Sequence, residues 1–366
     1  MVESAPLPQG TKRYDPLKLK NFLSSILVTA GVTSVDAELV ADVLVGADLR
    51  GVRSHGAARL SYFIVRLEKG SLNLNADMKF TKHTHTTGLL NADDGIGIIA
   101  AGKAMDIAME MANDYGSGFV GVANSSHFGF AGYWAERAMK NGYIGISMSN
   151  SGGRTAPTYA RESMLGTNPM SVSIPGGNST DFLLDMATTT VAVGKIETAL
   201  REGREVTPGW VSPTGENPHL DESGVLTYDA PLLPLGGSGM DTGGHKGYGL
   251  NLMVELLCGA LTGTSLRDRI DGARGTQRPA MGHFMGAIKL NGFGKPKTIQ
   301  SEMANTFDII RNAKKEPDQE KIYIHGEPEA IAIEENMRLG VPITPAVLKQ
   351  LDDVCDRYGI NSRLAE

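Results

Sequence analysis

Two histidines are placed where proton transfer can be done. The run Ser54-His55-Gly56-Ala57-Ala58-Arg59 sets an imidazole four residues from a permanent cation whose planar fork can grip a carboxylate. The run Ser125-Ser126-His127-Phe128-Gly129 puts a second imidazole in a polar, glycine-flanked loop behind an apolar strand, a common position for a binding residue. One imidazole near neutrality can accept or return a hydroxyl proton while a cofactor carries hydride, so the pair suits carbonyl–alcohol interconversion. The plain alternative for each is a hydrogen-bonded structural histidine.

Other chemistries lack their motifs. The chain has no G-x-x-x-x-G-K-[ST] loop, H-E-x-x-H pair, C-x-x-C pair or G-x-S-x-G elbow, which argues against P-loop, zinc-protease and serine-hydrolase activities. Gly95-Ile96-Gly97-Ile98-Ile99-Ala100 fits G-x-G-x-x-A ahead of a helix. Asp93 and Asp94 would press two negative charges on a pyrophosphate there, and the preceding Gly88-Leu89-Leu90 strand is weak, so the segment reads as a tight helix entry. Only Cys258 and Cys355 are available for disulfide or metal chemistry, which fits a reducing compartment, and no metal is expected to be required.

The elements that must position these groups are legible in outline. Leu39, Val40, Val43, Leu44 and Ala47 recur at helical spacing behind Thr33 and Ser34, and a second helix is expected over about Arg59 to Glu68. Extended segments follow to Asp94, then a helix with Ala101, Ala104, Met105, Ala108 and Ala112 on one face. Val120–Ala123 and Ile144–Met148 read as buried strands around a helix near Ala131–Lys140, with another strand at Phe182–Leu184. Residues 201–234 look loop-rich, Gly247–Leu261 helical, and Thr344-Pro345 opens a C-terminal helix to about Tyr358. The pattern predicts a mixed α/β protein with an N-terminal helical region over 15–75, a mixed α/β region over 76–304 expected to hold cofactor and substrate on the resemblance given below, and a C-terminal region over 305–366 expected to pack with the helical part, a pairing the spacing alone does not assign.

Composition narrows the partners. Forty-one acidic against 35 basic residues give a net charge of -6, with no basic stripe, so a nucleic-acid partner is not expected. No apolar run is long enough to span a bilayer and Met1–Tyr14 lacks the form of a signal peptide, which makes the cytoplasm the expected compartment.

Taken in order, the strings Asp48-Leu49-Arg50-Gly51, Ser54-His55-Gly56 with Arg59, Ser126-His127-Phe128-Gly129 with Ala131-Gly132-Tyr133, and Leu165-Gly166-Thr167-Asn168-Pro169 form a specific set. Asp185-Met186-Ala187-Thr188, Gly194-Lys195-Ile196, Leu233-Pro234-Leu235-Gly236-Gly237 and Lys246-Gly247-Tyr248-Gly249-Leu250 continue it. From about residue 15 to residue 350 the chain resembles the malate/L-lactate dehydrogenase type 2 family of NAD(P)-dependent 2-hydroxyacid oxidoreductases, most of all its malate dehydrogenase members.

That resemblance implies a non-Rossmann fold, a mixed-sheet domain for NAD or NADP beside a mainly helical domain, and a homodimer with its site near the subunit interface. It makes His127 the leading acid/base, with His55 as a partner or competitor for the proton. It gives Arg59 to the substrate carboxylate, assisted by Ser54, with Tyr62 lining the cavity. Arg154 or Arg53 would meet a second carboxylate, or be a solvated charge. Ser149, Asn150, Thr167, Asn168, Asp185, Ala187, Lys246 and Gly247 fall in cofactor-binding segments. His245, ahead of Lys246, departs from the family pattern, and His283 reads as structural. Interconversion of L-malate and oxaloacetate is the expected reaction. Reduction of lactate-, ureidoglycolate-, sulfolactate- or diketogulonate-type keto acids or of a cyclic imino acid is a rival, and a non-catalytic cofactor-binding protein is another.

Overall fold

The computed structural model describes residues 7–201, 204–212, 218–220, 226–227, 230–266 and 278–364. Part of the loop-rich stretch expected over 201–234 lies outside the described residues.

The centre is a seven-stranded sheet, ordered β2 (Lys79–Lys82), β3 (Thr87–Asn91), β4 (Ser117–Ser125), β10 (Met281–Lys289), β5 (Tyr143–Ser149), β6 (Met170–Ile174) and β7 (Phe182–Met186). Only β3 and β4 run parallel; every other neighbouring pair is antiparallel. This is the expected mixed α/β class and not a doubly wound parallel sheet. The central strand β10 was not anticipated: its apolar alternation is interrupted by Gly282, His283 and Gly286. Those glycines answer to neighbours, since a methyl on Gly282 would stand 1.8 Å from the Cys258 carbonyl and one on Gly286 2.9 Å from the Phe119 ring.

Helix α4 (Gly97–Tyr115) packs on β4 and β10, and α5 (Ala131–Lys140) on β5, β6 and β7. Gly145 lets α5 approach closely, because a methyl there would lie 2.2 Å from the Ala135 carbonyl oxygen. After β7 come helix α6 (Val193–Arg201) and a short antiparallel pair, β8 (His219–Leu220) with β9 (Leu226–Thr227). Helix α7 (Gly244–Cys258) packs on β10, β5 and β4.

Over α4 and α5 lies a helical layer. Helix α1 (Pro16–Thr29) starts at Asp15, whose carboxylate accepts the Lys18 N–H, with Pro16 in the first turn. Helix α2 (Ser34–Leu49) starts at Thr33, whose hydroxyl caps Asp36. Residues of α1 and α2, the α3 helix (Leu60–Glu68), α4 and the C-terminal helix Pro345–Tyr358 share one continuous hydrophobic core with the sheet. Strand β1 (Lys12–Tyr14) pairs antiparallel with β11 (Val341–Ile343), tying the two chain ends together. The helix Pro296–Arg311 runs unbroken through residue 305.

The G-x-G-x-x-A segment enters α4 tightly. Gly97 N–H donates to Ser126 Oγ at 2.8 Å, Ser126 Oγ donates to the Gly95 carbonyl at 3.1 Å, and a methyl on Gly97 would lie 2.0 Å from the Ser126 carbonyl oxygen. The glycines thus seat the loop that carries His127, while Asp94 pairs with Arg278.

Candidate active site

Two short 3₁₀ helices, Arg53–His55 and Ala57–Arg59, connect the end of α2 to α3. The Ser54 carbonyl accepts from Arg59 Nε at 2.8 Å, and Ser54 Oγ lies 2.9 Å from His55 Nδ1. One serine therefore ties the imidazole and the guanidinium together. The loop between β4 and α5 brings His127 against this turn: its ring centroid is 5.5 Å from that of His55 and 5.5 Å from that of Tyr62, with Phe63 edge-on at 6.4 Å. The Tyr62 hydroxyl is buried and makes no well-formed hydrogen bond among the described residues, with the His127 backbone and the Arg66 side chain near it and the Arg66 guanidinium over its ring at 4.8 Å. A polar ligand at this spot would give the hydroxyl a better-formed hydrogen bond.

The electrostatics keep both imidazoles neutral. Desolvation and then the Arg59 charge push His55 down to about 3. His127 is held well below its ordinary value by desolvation, then by Arg59 and His55. Gly129 N–H donates to His127 Nδ1 at 3.1 Å, so the neutral ring carries its proton on Nε2.

His283 lies behind this cluster as a framework residue. Its ring stacks on Phe128 at 4.7 Å, and its two nitrogens lie 2.8 Å from Ser149 Oγ and 2.8 Å from Ser125 Oγ. Ser149, expected among the cofactor residues, is buried here and donates to the Asn150 carbonyl at 2.9 Å. Asn150 is fully buried; its Oδ1 accepts Gly282 N–H at 2.9 Å while its Nδ2 has no partner among the described residues.

The other expected cofactor residues divide by their surroundings. Asn168 spends its side chain inside the protein, accepting from Ser151 N–H and donating to Asn251 Oδ1 at 2.9 Å. Asn251 in turn donates to the Gly166 carbonyl at 2.9 Å, which fastens the loop after residue 150 to α7. Sequence reading overlooked Asn251 and Glu255, although two polar residues four apart in the apolar run Leu250–Cys258 were a usable signal. The Thr167 carbonyl accepts from Thr188, joining the segments that carry Thr167 and Ala187. Asp185 accepts the Gly132 N–H at the start of α5, and a methyl on Gly132 would stand 2.6 Å from Asp185 Oδ2. Gly247 is required by contact, a methyl there falling 2.0 Å from the Leu235 carbonyl oxygen, and Lys246 is exposed in the first turn of α7.

Gly194, in the first turn of α6, packs against the turn that carries His55, since a methyl on it would stand 2.8 Å from Ser54 Cβ. The structure thus gathers His55, His127, Ser54, Arg59 and Tyr62. Arg154 stands exposed next to the Thr155–Leu165 bridge, and the Arg53 charge acts on the Asp48 carboxyl group.

Residues 14–352 match the family model described as malate/L-lactate dehydrogenase. The chain is 38% identical to the malate dehydrogenase of Pyrococcus abyssi over 98% of its own length and 99% of the relative's. It is 34% identical to the L-sulfolactate dehydrogenase of Methanocaldococcus jannaschii, covering 94% of this chain and 97% of that one. The solved structure of malate dehydrogenase from Pyrococcus horikoshii OT3 superposes with a TM-score of 0.87 at 34% identity, over 99% of this chain and 100% of that one.

Proposed function

The chain belongs to the malate/L-lactate dehydrogenase family, and from that premise we propose that it interconverts L-malate and oxaloacetate with NAD or NADP, as a cytoplasmic homodimer. Membership makes it an oxidoreductase of hydroxy acids. The observation that carries the mechanism is the pair of imidazoles 5.5 Å apart beside Arg59.

Arg59 binds the C1 carboxylate, its fork oriented by the bond from Nε to the Ser54 carbonyl. His127 offers the Nε2–H left to it by the Gly129 contact and donates to the C2 oxygen, stabilising negative charge there. His55 accepts the hydroxyl proton on Nε2 during oxidation, with Nδ1–H donating to Ser54 Oγ. Desolvation and then the Arg59 charge depress His55 in the free protein, and the substrate carboxylate offsets the Arg59 part, so proton affinity rises when substrate arrives. This division gives the proton to His55 and leaves His127, first choice from the sequence, as the donor that polarises the oxygen.

The cofactor, when bound, supplies or takes the hydride. The residues present fit it: Asn150 has a buried amide with no partner among the described residues, and Asp185, which caps the start of α5 through the Gly132 N–H, presents a carboxylate for hydroxyl groups. Lys246 is available to a phosphate. The buried free thiols of Cys258 and Cys355 support a reducing compartment, and no helix among the described residues is long and apolar enough to cross a membrane.

The test is absorbance at 340 nm with oxaloacetate, then pyruvate, sulfopyruvate and a cyclic imine, each with NADH and NADPH. The highest kcat/KM with oxaloacetate supports the assignment. A higher value with another substrate, or no turnover by folded protein that binds NADH, overturns it.

A further inference from the structure

Asp48, near the end of α2, is only 3% exposed, and the chemistry above does not use it. Its Oδ2 accepts the Ala57 N–H at 2.7 Å. On the other side lies Gly56, where a methyl would stand 1.8 Å from Asp48 Oδ1. Gly56 has φ −84° and ψ −150°, an extended backbone without positive φ, so it is the carboxyl group that demands glycine here. A buried acid with a single backbone hydrogen bond of this kind is an expensive feature. It occupies the seam between the two 3₁₀ helices, one ending in His55 and the other in Arg59. The helix end that carries it is secured from afar: Asn336 Nδ2 donates to the Leu49 carbonyl at 2.9 Å, and Arg13 Nη1 donates to Asn336 Oδ1 at 3.0 Å.

We propose that Asp48 is a positioning residue for the reaction: its carboxyl group, held by the Ala57 N–H and packed on Gly56, fixes the His55 imidazole relative to the Arg59 guanidinium without touching substrate or cofactor. The kinetic consequence rests on the hydroxyacid dehydrogenase reading. An acceptor of the same shape should serve nearly as well as the acid, because what the seam needs is an oxygen at that point.

Full-length Asp48→Ala and Asp48→Asn are compared for kcat, KM and NADH affinity, together with the imidazole resonances of His55. Asp48→Ala is expected to lower kcat/KM about 100-fold, the scale of an ångström-sized misplacement, with NADH affinity unchanged. Asp48→Asn is expected to recover most of that loss. Should Asp48→Ala fail to fold, Gly56→Ala strains the same seam from its other side and is expected to give the same kinetic loss. Near wild-type kcat/KM in folded Asp48→Ala or Gly56→Ala overturns the proposal, as does an Asp48→Asn variant as impaired as Asp48→Ala. If the wild type turns over no 2-keto acid, the functional reading fails instead. The positioning role then stands if His55 resonances move in Asp48→Ala but not in Asp48→Asn, and falls if they move in neither.

Discussion

The His127 ring lies 5.5 Å from that of His55, yet the two present different faces to the space between them: His127 has Nδ1 committed to Gly129 N–H, while His55 has Nδ1 against a hydroxyl that can either donate or accept. Only His55 can therefore adopt the tautomer with a lone pair on Nε2 at no cost in hydrogen bonds. Replacing His55 with Ala should remove proton transfer and lower kcat by about 100- to 10,000-fold. Replacing His127 with Asn, which keeps a donor, should cost less than His127→Ala. Steady-state kinetics with oxaloacetate measure this, and an His55→Ala enzyme with near wild-type kcat returns the proton to His127.

Arg59 acts on substrate through a directional fork, with Nε already spent on the Ser54 carbonyl. Arg59→Ala should raise KM for oxaloacetate about 10- to 100-fold, the worth of charge-assisted hydrogen bonds. Arg59→Lys should recover only part, since an ammonium cannot reproduce the fork. Equal KM values for wild type and Arg59→Ala would remove the guanidinium from the carboxylate site.

Both imidazoles are depressed by desolvation and Arg59, so in the free protein they stay neutral across the physiological range. NMR of the ring C–H groups should show no titration between about pH 5 and about pH 8. Adding NADH with a non-reacting dicarboxylate such as tartronate should raise the His55 pKa as anionic charge offsets Arg59. A His55 resonance that titrates near 6.5 without ligand would contradict the neutral-pair description.

Much of this arrangement is legible in the sequence. The strings carrying His55, Arg59 and His127 are separated along the chain but share a chemistry, and the helices at Ala131–Lys140 and Pro345–Tyr358 lie where their apolar spacing and Pro345 put them. The roles of Asn150 and Asn168 are not legible there, because their partners are remote: Asn168 bonds Asn251, 83 residues away, and Asn150 bonds Gly282, 132 away. Strand β10 is hidden for a related reason, its glycines being set by the backbone of α7 and a ring on β4 instead of by local propensity. The helix Pro296–Arg311 was legible and passed over: Ile299, Met303, Phe307 and Ile310 recur at helical spacing behind Pro296, although only Phe307 is buried. Asp48 stands in the Asp48-Leu49-Arg50-Gly51 string, but its role is not legible there because its partners are Gly56 and Ala57, across a turn that only the folded chain closes.

Asp48 also has a consequence for stability. Burial pushes its carboxyl group up from 3.8 to about 7, against the lowering effects of the Ala57 N–H and Arg53. Between those values the unfolded chain ionises Asp48 while the folded chain keeps the proton. Its contribution to stability is therefore fully present below 3.8 and is lost as pH rises through about 7. Asparagine does not titrate, so the melting temperature of Asp48→Asn relative to wild type should rise from about pH 4 to about pH 7 and then level off, with a stability change on the order of a few kcal/mol. Thermal melts of the two proteins in matched buffers measure the difference directly, and comparing them cancels the titration of every other group. A gap that is flat across this range, or that narrows as pH rises, would mean that Asp48 is ionised in the folded protein with its charge compensated there.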